Sequence, residues 1–176
     1  MRKLMMLGLA TLIALVGLVA IVTIIGLCLP KEHIASRAMR LGQPPERVWQ
    51  VITDYGSQPA WRRDLKGIER LPDREGRAVW QEIYKDGQRL TLEAAEAVPP
   101  RRLVTRIADV GGPFSGRWEF EIAPAGDGSQ ISITERGQLP NPLFRFISRF
   151  IIGQATFIDL YLQALAGKFG EPAFIT

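Results

Sequence analysis

The stretch that decides the fold is Pro140-Asn141-Pro142 and the run behind it, Leu143 to Phe169, LFRFISRFIIGQATFIDLYLQALAGKF. Asn141 is a cap residue and Pro142 a first-turn proline, and no proline or turn cluster follows until Gly170-Glu171-Pro172. A helix over these residues is about 40 Å long at ~1.5 Å per residue. At ~100° per residue, Arg145, Arg149, Thr156, Asp159 and Gln163 fall along one line, and Ile147, Phe150, Gln154, Ile158, Tyr161 and Leu165 lie opposite. So long an apolar face needs a broad surface to cover it.

That surface is upstream. His33–Leu41 alternates as a strand does, Pro45–Thr53 has Val48, Trp49, Val51 and Ile52 at helical spacings, and Pro59–Asp64 suits a second short helix. Strand patterns follow at Leu65–Leu71, Ala78–Tyr84, Gln88–Val98, Arg101–Ala108, Arg117–Ile122 and Ser129–Gln138. Between them stand Pro72-Asp73-Arg74-Glu75-Gly76, Lys85-Asp86-Gly87, Pro99-Pro100, Gly111-Gly112-Pro113 and Gly126-Asp127-Gly128. The Asp-Gly tip is a strong hairpin signal. The order predicts an α+β fold: a curved seven-stranded antiparallel sheet wrapped on the long last helix, with two short helices after the first strand. Such a grip predicts a space between helix and sheet.

The amino terminus is of another kind. Leu4 to Leu29 holds 26 residues without a charge, longer than the ~20 that cross a bilayer core. Its exit, Ile25-Gly26-Leu27-Cys28-Leu29-Pro30, lacks a small-residue cleavage site, so a retained single-pass anchor is expected over residues 1–30, with one domain over residues 31–176. Arg2-Lys3 favours an inside amino terminus and an extracytoplasmic domain; Lys31, Arg37 and Arg40 count the other way.

Composition removes several functions. Without Arg2 and Lys3 the chain carries 20 Lys plus Arg against 18 Asp plus Glu, interspersed, so no basic face for nucleic acid is expected. The single Cys, Cys28, lies in the apolar run, and the single His, His33, reads as linker just after it. That leaves no disulfide, no Cys/His metal set and no Ser/His or Cys/His nucleophile, and calls for no cofactor. Chemistry would fall to carboxylates, Arg, Tyr, amides or water. The sequence leaves open whether the chain forms a homo-oligomer.

Pro44-Pro45-Glu46-Arg47-Val48-Trp49-Gln50-Val51-Ile52-Thr53-Asp54-Tyr55, then Pro59-Ala60-Trp61, resemble the opening of bacterial polyketide-cyclase/dehydrase-like proteins of the START-like (SRPBCC, Bet v 1-type) superfamily. Pro99-Pro100-Arg101-Arg102-Leu103-Val104, Gly116-Arg117-Trp118-Glu119-Phe120 and Ile133-Thr134-Glu135-Arg136-Gly137 are similar to its later strands. The resemblance covers about 33–170 and implies the helix-grip fold. It fixes no function, because carriers, enzymes and regulators share that fold. The apolar anchor departs from most soluble members and favours a task at a membrane.

Several residues are candidates for a site. Gln154, central on the predicted apolar face, and Tyr161 suit hydrogen bonding to a polar ligand end. Glu135 continues the Ile131/Ile133 face, with Arg106 as its expected inward partner, and Glu82 shares a face with Trp80 and Tyr84. Either carboxylate is a candidate acid or base. Trp80, Trp118, Phe120, Phe150 and Phe157 are expected to line the interior, and Tyr55, Trp61 and Arg62 its mouth. The leading expectation is membrane-anchored binding or transfer of a hydrophobic small molecule: a lipid, isoprenoid or polyketide-like compound. The alternatives are a cyclase/aromatase- or dehydratase-like enzyme and a solid-core partner-binding module.

Overall fold

In a computed structural model of the chain, residues 2–109 and 112–176 are described. The turn expected at Gly111 lies outside them. The elements run α1 (Arg2–Cys28), β1 (Glu32–Leu41), α2 (Pro45–Thr53), a 3-10 helix (Tyr55–Ala60), β2 (Leu65–Arg74), β3 (Arg77–Tyr84), β4 (Arg89–Val98), β5 (Arg102–Ile107), β6 (Ser115–Ala125), β7 (Gly128–Gln138), α3 (Pro142–Ile147) continuing into a π-helical turn (Ser148–Ile152), and α4 (Thr156–Phe169).

The strands form one antiparallel sheet in the order β1-β7-β6-β5-β4-β3-β2. The expected seven strands and their sequence order are present. Only the link from β1 to β2 crosses the sheet, and it does so through α2 and the 3-10 helix. Register sets the inner face: Met39 pairs with Ile131, Ile131 with Ile122, Ile133 with Phe120, and Phe120 with Leu103, all buried. Against it α4 packs Ile158, Leu162, Leu165 and Ala166, none of them exposed, and α2 adds Val48, Val51 and Ile52. Each such Ile or Leu contributes about 1.5–3 kcal/mol through the apolar area it removes from water.

The carboxyl-terminal tail closes the β1 edge. Ala38 and Thr176 exchange backbone hydrogen bonds at 2.9 Å, and Glu171 accepts from Gly42 N and Gln43 Nε2, each at 2.8 Å. An otherwise open strand edge is thereby capped.

Two local expectations are corrected. The second short helix spans Tyr55–Ala60 rather than Pro59–Asp64, because the Gln58 carbonyl accepts from both Trp61 N and Arg62 N and ends the turn there. The last helix is not continuous. Its two parts meet at 51°, where the π turn ends on Gly153 with φ 90°, a conformation that other residues avoid. A lone glycine breaks the run without any proline.

Residues Met6–Cys28 of α1 form a helix long and apolar enough to span a membrane, and almost none of it is covered by protein. Its hydroxyls are satisfied internally: Thr11 Oγ1 donates to Leu7 O at 2.9 Å and Thr23 Oγ1 to Val19 O at 2.7 Å.

Candidate functional site

The residues after the 3-10 helix turn inward. Arg62 is buried and donates to Glu82 Oε1 at 2.6 Å and Oε2 at 3.2 Å, to Gln58 Oε1 at 3.1 Å and to Asp64 Oδ2 at 2.9 Å. Tyr84 Oη donates to Glu82 Oε2 at 2.6 Å, and Gln58 Nε2 ties the group to Ile52 O at 3.0 Å. Burial works against the Arg62 charge, but the Glu82 carboxylate outweighs it and its pKa moves up. The Tyr84 phenol also moves up, first through burial and then through Glu82. A buried pair this fully bonded is a fixed dipole rather than a proton shuttle.

Aromatic rings adjoin it. Tyr55 stacks on Trp80 with centroids 3.8 Å apart and planes at 14°. Burial pushes its phenol up to about 12. From α4, Tyr161 places its ring 5.4 Å from the Arg62 guanidinium and 5.6, 5.7 and 5.6 Å from the Trp61, Trp118 and Phe120 rings. Burial raises its pKa as well. Tyr161 therefore occupies the space that the grip was expected to leave open.

Beyond Trp118 lies the second carboxylate. Trp118 Nε1 donates to Glu135 Oε2 at 3.0 Å, and His33 Nε2 lies 3.2 Å from Glu135 Oε1. A belt thus crosses the inner face: Glu82, Arg62, Tyr161, Trp118, Glu135, His33. Beside it, Trp61 Nε1 and Trp80 Nε1 are buried donors that meet no protein acceptor. Such orphans are rare in folded proteins, and each calls for an occupant with an acceptor.

Of the residues singled out from the sequence, Tyr55, Trp61, Arg62, Trp80, Glu82, Trp118, Phe120, Glu135 and Tyr161 come together in this way. Arg106 does not. Trp118 pairs with Thr105 and points inward, so the next pair along, Arg106 with Arg117, points outward. Arg106 there bonds Glu93 at 2.8 Å, and strand alternation excludes it from the Glu135 side of the sheet.

The carboxyl-terminal candidates also lie elsewhere. Phe150 and Phe157 are exposed, and Gln154 sits in the helix break, where its Oε1 accepts from Arg149 at 3.2 Å. Centring Gln154 on an apolar face requires a continuous helix, which Gly153 interrupts. Conversely, His33 reads as linker in the sequence but belongs to the belt. Its place in the His33–Leu41 alternation, in phase with Met39 and Leu41, is the signal that could have found it.

Cavities open away from the sheet–α4 contact, one of them at the His33 end of the belt. One of about 530 Å³ opens between α2 and the end of α4, beside Arg47, Asp54 and Lys168. Another of about 280 Å³ lies where α1 meets the rest of the chain, beside Pro30, His33 and Arg149. Among the described residues, no group of three or more His, Cys, Asp or Glu is placed to hold a metal ion.

Among curated proteins, no sequence matches this chain. Solved structures show the fold. A START superfamily protein from Mycobacterium smegmatis superposes with a TM-score of 0.63 at 17% identity, over 77% of this chain and 96% of that one. A protein from Thermus thermophilus does so at 0.61 and 20%, over 78% and 95%. The di-domain ARO/CYC StfQ from the steffimycin biosynthetic pathway gives 0.62 at 8% identity, over 79% of this chain and 52% of that protein. The sequence itself matches the family described as polyketide cyclase/dehydrase and lipid transport over residues 34–169, which includes the whole belt except His33. With that match across most of its length and a START-like helix-grip fold, the chain belongs to the polyketide cyclase/dehydrase and lipid transport family.

Proposed function

We propose that the chain binds or transfers a hydrophobic small molecule (a lipid, isoprenoid or polyketide-like compound) between its sheet and α4, with residues 1–30 as membrane anchor and 31–176 as the binding domain. The observation that carries this reading is the pair of buried indole donors left without protein acceptors: Trp61 Nε1, on the ring beside Tyr161, and Trp80 Nε1, on the ring stacked on Tyr55. An unpaired buried donor costs about 1–3 kcal/mol, which a ligand carbonyl or hydroxyl recovers. The apolar body of the ligand adds ~25 cal/mol for each Å² it removes from water. Room for it comes from displacing the Tyr161 ring, which packs there among Trp61, Trp118 and Phe120. The apolar helix Met6–Cys28 supports the anchor, and Arg2-Lys3 supports an extracytoplasmic domain.

A second reading rests on the Glu135–His33 contact at 3.2 Å. A carboxylate beside an imidazole can accept and return a proton, which suits cyclase-type chemistry on a bound polyketide-like chain. Glu82, held by Arg62 and Tyr84, is unsuited to that role.

Native mass spectrometry of the full chain released from detergent micelles, with organic extraction of the same sample, tests the binding reading. A stoichiometric apolar adduct supports it. A bare protein that takes up none of a fatty acid, a polyprenol and an aromatic polyketide rejects it.

A further inference from the structure

The α3 segment is held directly against the end of the apolar anchor. Arg145 is buried and donates to Gly26 O and Leu29 O, each at 3.0 Å, and to Pro140 O at 2.8 Å. It thus supplies a cation and donors to the last carbonyls of α1, where the helix dipole favours positive charge. Gly26 makes this approach possible, since a Cβ there would overlap the Pro142 carbonyl. The 23 residues Met6–Cys28 extend about 35 Å at ~1.5 Å per residue, slightly more than a ~30 Å hydrocarbon core. If α1 spans, Gly26 to Leu29 lie at one boundary of that core, and α3 is fixed at the same level.

What α3 and the π turn present there is apolar. Phe144 is 44% exposed, Phe150 59%, Ile151 70% and Ile152 45%, and Phe157 and Leu160 on the first turns of α4 are also more than half exposed. From Pro142 to Ile158 the only charged residues are Arg145 and Arg149. Over Pro142–Ile152, exposed aromatic and aliphatic side chains with Arg149 and no carboxylate have the composition of a segment lying in a bilayer interface, attracted by anionic headgroups. A water-facing surface would not keep these residues together.

We propose that Pro142–Ile152 is a second membrane-contact element, lying in the bilayer interface with Phe150, Ile151 and Ile152 among the acyl chains and Arg149 at the phosphates. The occupant of this apolar surface is the lipid bilayer itself. The proposal rests on the reading of α1 as a membrane span. It places the Gly153 break, and with it the start of α4, at the lipid surface.

The test uses the full chain with Cys28→Ser, reconstituted in vesicles of phosphatidylcholine and phosphatidylglycerol. An environment-sensitive fluorophore is attached at Ile151→Cys, or at Asp127→Cys as control. Asp127 lies by the far end of β1, about 30 Å from Glu32 at ~3.3 Å per residue. Unchanged circular dichroism establishes that each labelled protein is folded. The proposal expects blue-shifted emission at position 151, quenched at least twofold by brominated acyl chains, and water-like, unquenched emission at position 127. A chain that resists alkaline carbonate extraction while position 151 stays water-like and unquenched overturns the proposal and leaves the anchor standing. A chain that carbonate releases overturns both.

Discussion

Arg62 and Glu82 meet at 2.6 Å with a tenth or less of either side chain exposed. The two charges come from the end of the 3-10 helix and from β3, and are joined by Tyr84 and Gln58. Removing one partner leaves the other buried and uncompensated. Arg62→Met is expected to cost about 3–5 kcal/mol, whereas the double change Arg62→Met with Glu82→Leu costs far less or nothing. Chemical denaturation of Arg62→Met, Glu82→Leu and the double variant checks this; a double-variant loss equal to the sum of the two single losses would show that the pair is not coupled.

All three tyrosines, Tyr55, Tyr84 and Tyr161, have raised pKa values, with burial as the leading cause. The folded state then holds its phenol protons more tightly than the unfolded one. Stability from this source is complete below pH 10 and is lost as pH rises through about 12, the value for Tyr55. Ultraviolet titration of the folded chain should show no phenolate near pH 10, whereas urea-unfolded chain titrates there. Phenolate appearing near pH 10 in folded protein would contradict the packing described for these rings.

The acid side depends on Glu119, which accepts from Arg117 at 2.8 Å, Arg136 at 2.9 Å and Arg102 at 3.2 Å. The Arg117 hydrogen bond leads in lowering its pKa below 4.5, against a smaller contribution from burial. A lowered carboxylate stabilises above its unfolded pKa and ceases to do so as pH falls through the folded value. Glu119→Gln should therefore weaken the fold at neutral pH and make its loss of stability below pH 4.5 shallower. Parallel acid limbs for the two proteins would show that the cluster contributes nothing.

The indole donors give a test by deletion. Trp80→Phe keeps a stacking partner for Tyr55 and removes an N–H that has no protein acceptor. Ligand affinity should fall by about 1 kcal/mol, roughly fivefold, as expected for one lost hydrogen bond. Unaltered ligand retention in both Trp80→Phe and Trp61→Phe would show that neither donor meets the ligand.

Much of this is legible from local patterns, because turns and strand alternation are written within a few residues. Pro45–Thr53 forms the predicted helix residue for residue, and Asp86-Gly87 forms the predicted hairpin tip. The inward facing of Glu135 follows from Ile131 and Ile133. What local patterns miss depends on residues elsewhere in the chain. Placing Gln154 on the apolar face carries one helical phase through Gly153, where the backbone turns by 51°. Pairing Arg106 with Glu135 follows charge alone, yet register with Arg117 puts Arg106 on the other face. The Arg145 contacts with Gly26 and Leu29 join residues more than a hundred positions apart, and nothing local announces them.

The most direct test of ligand binding between sheet and α4 is photocrosslinking of the full chain with a diazirine-bearing fatty acid, followed by peptide mapping. Binding at that place gives adducts on the peptides that carry Trp80, Trp118 and Tyr161, competed away by the unmodified acid. Adducts confined to the apolar helix, residues 6–28, with none on those peptides, would contradict it.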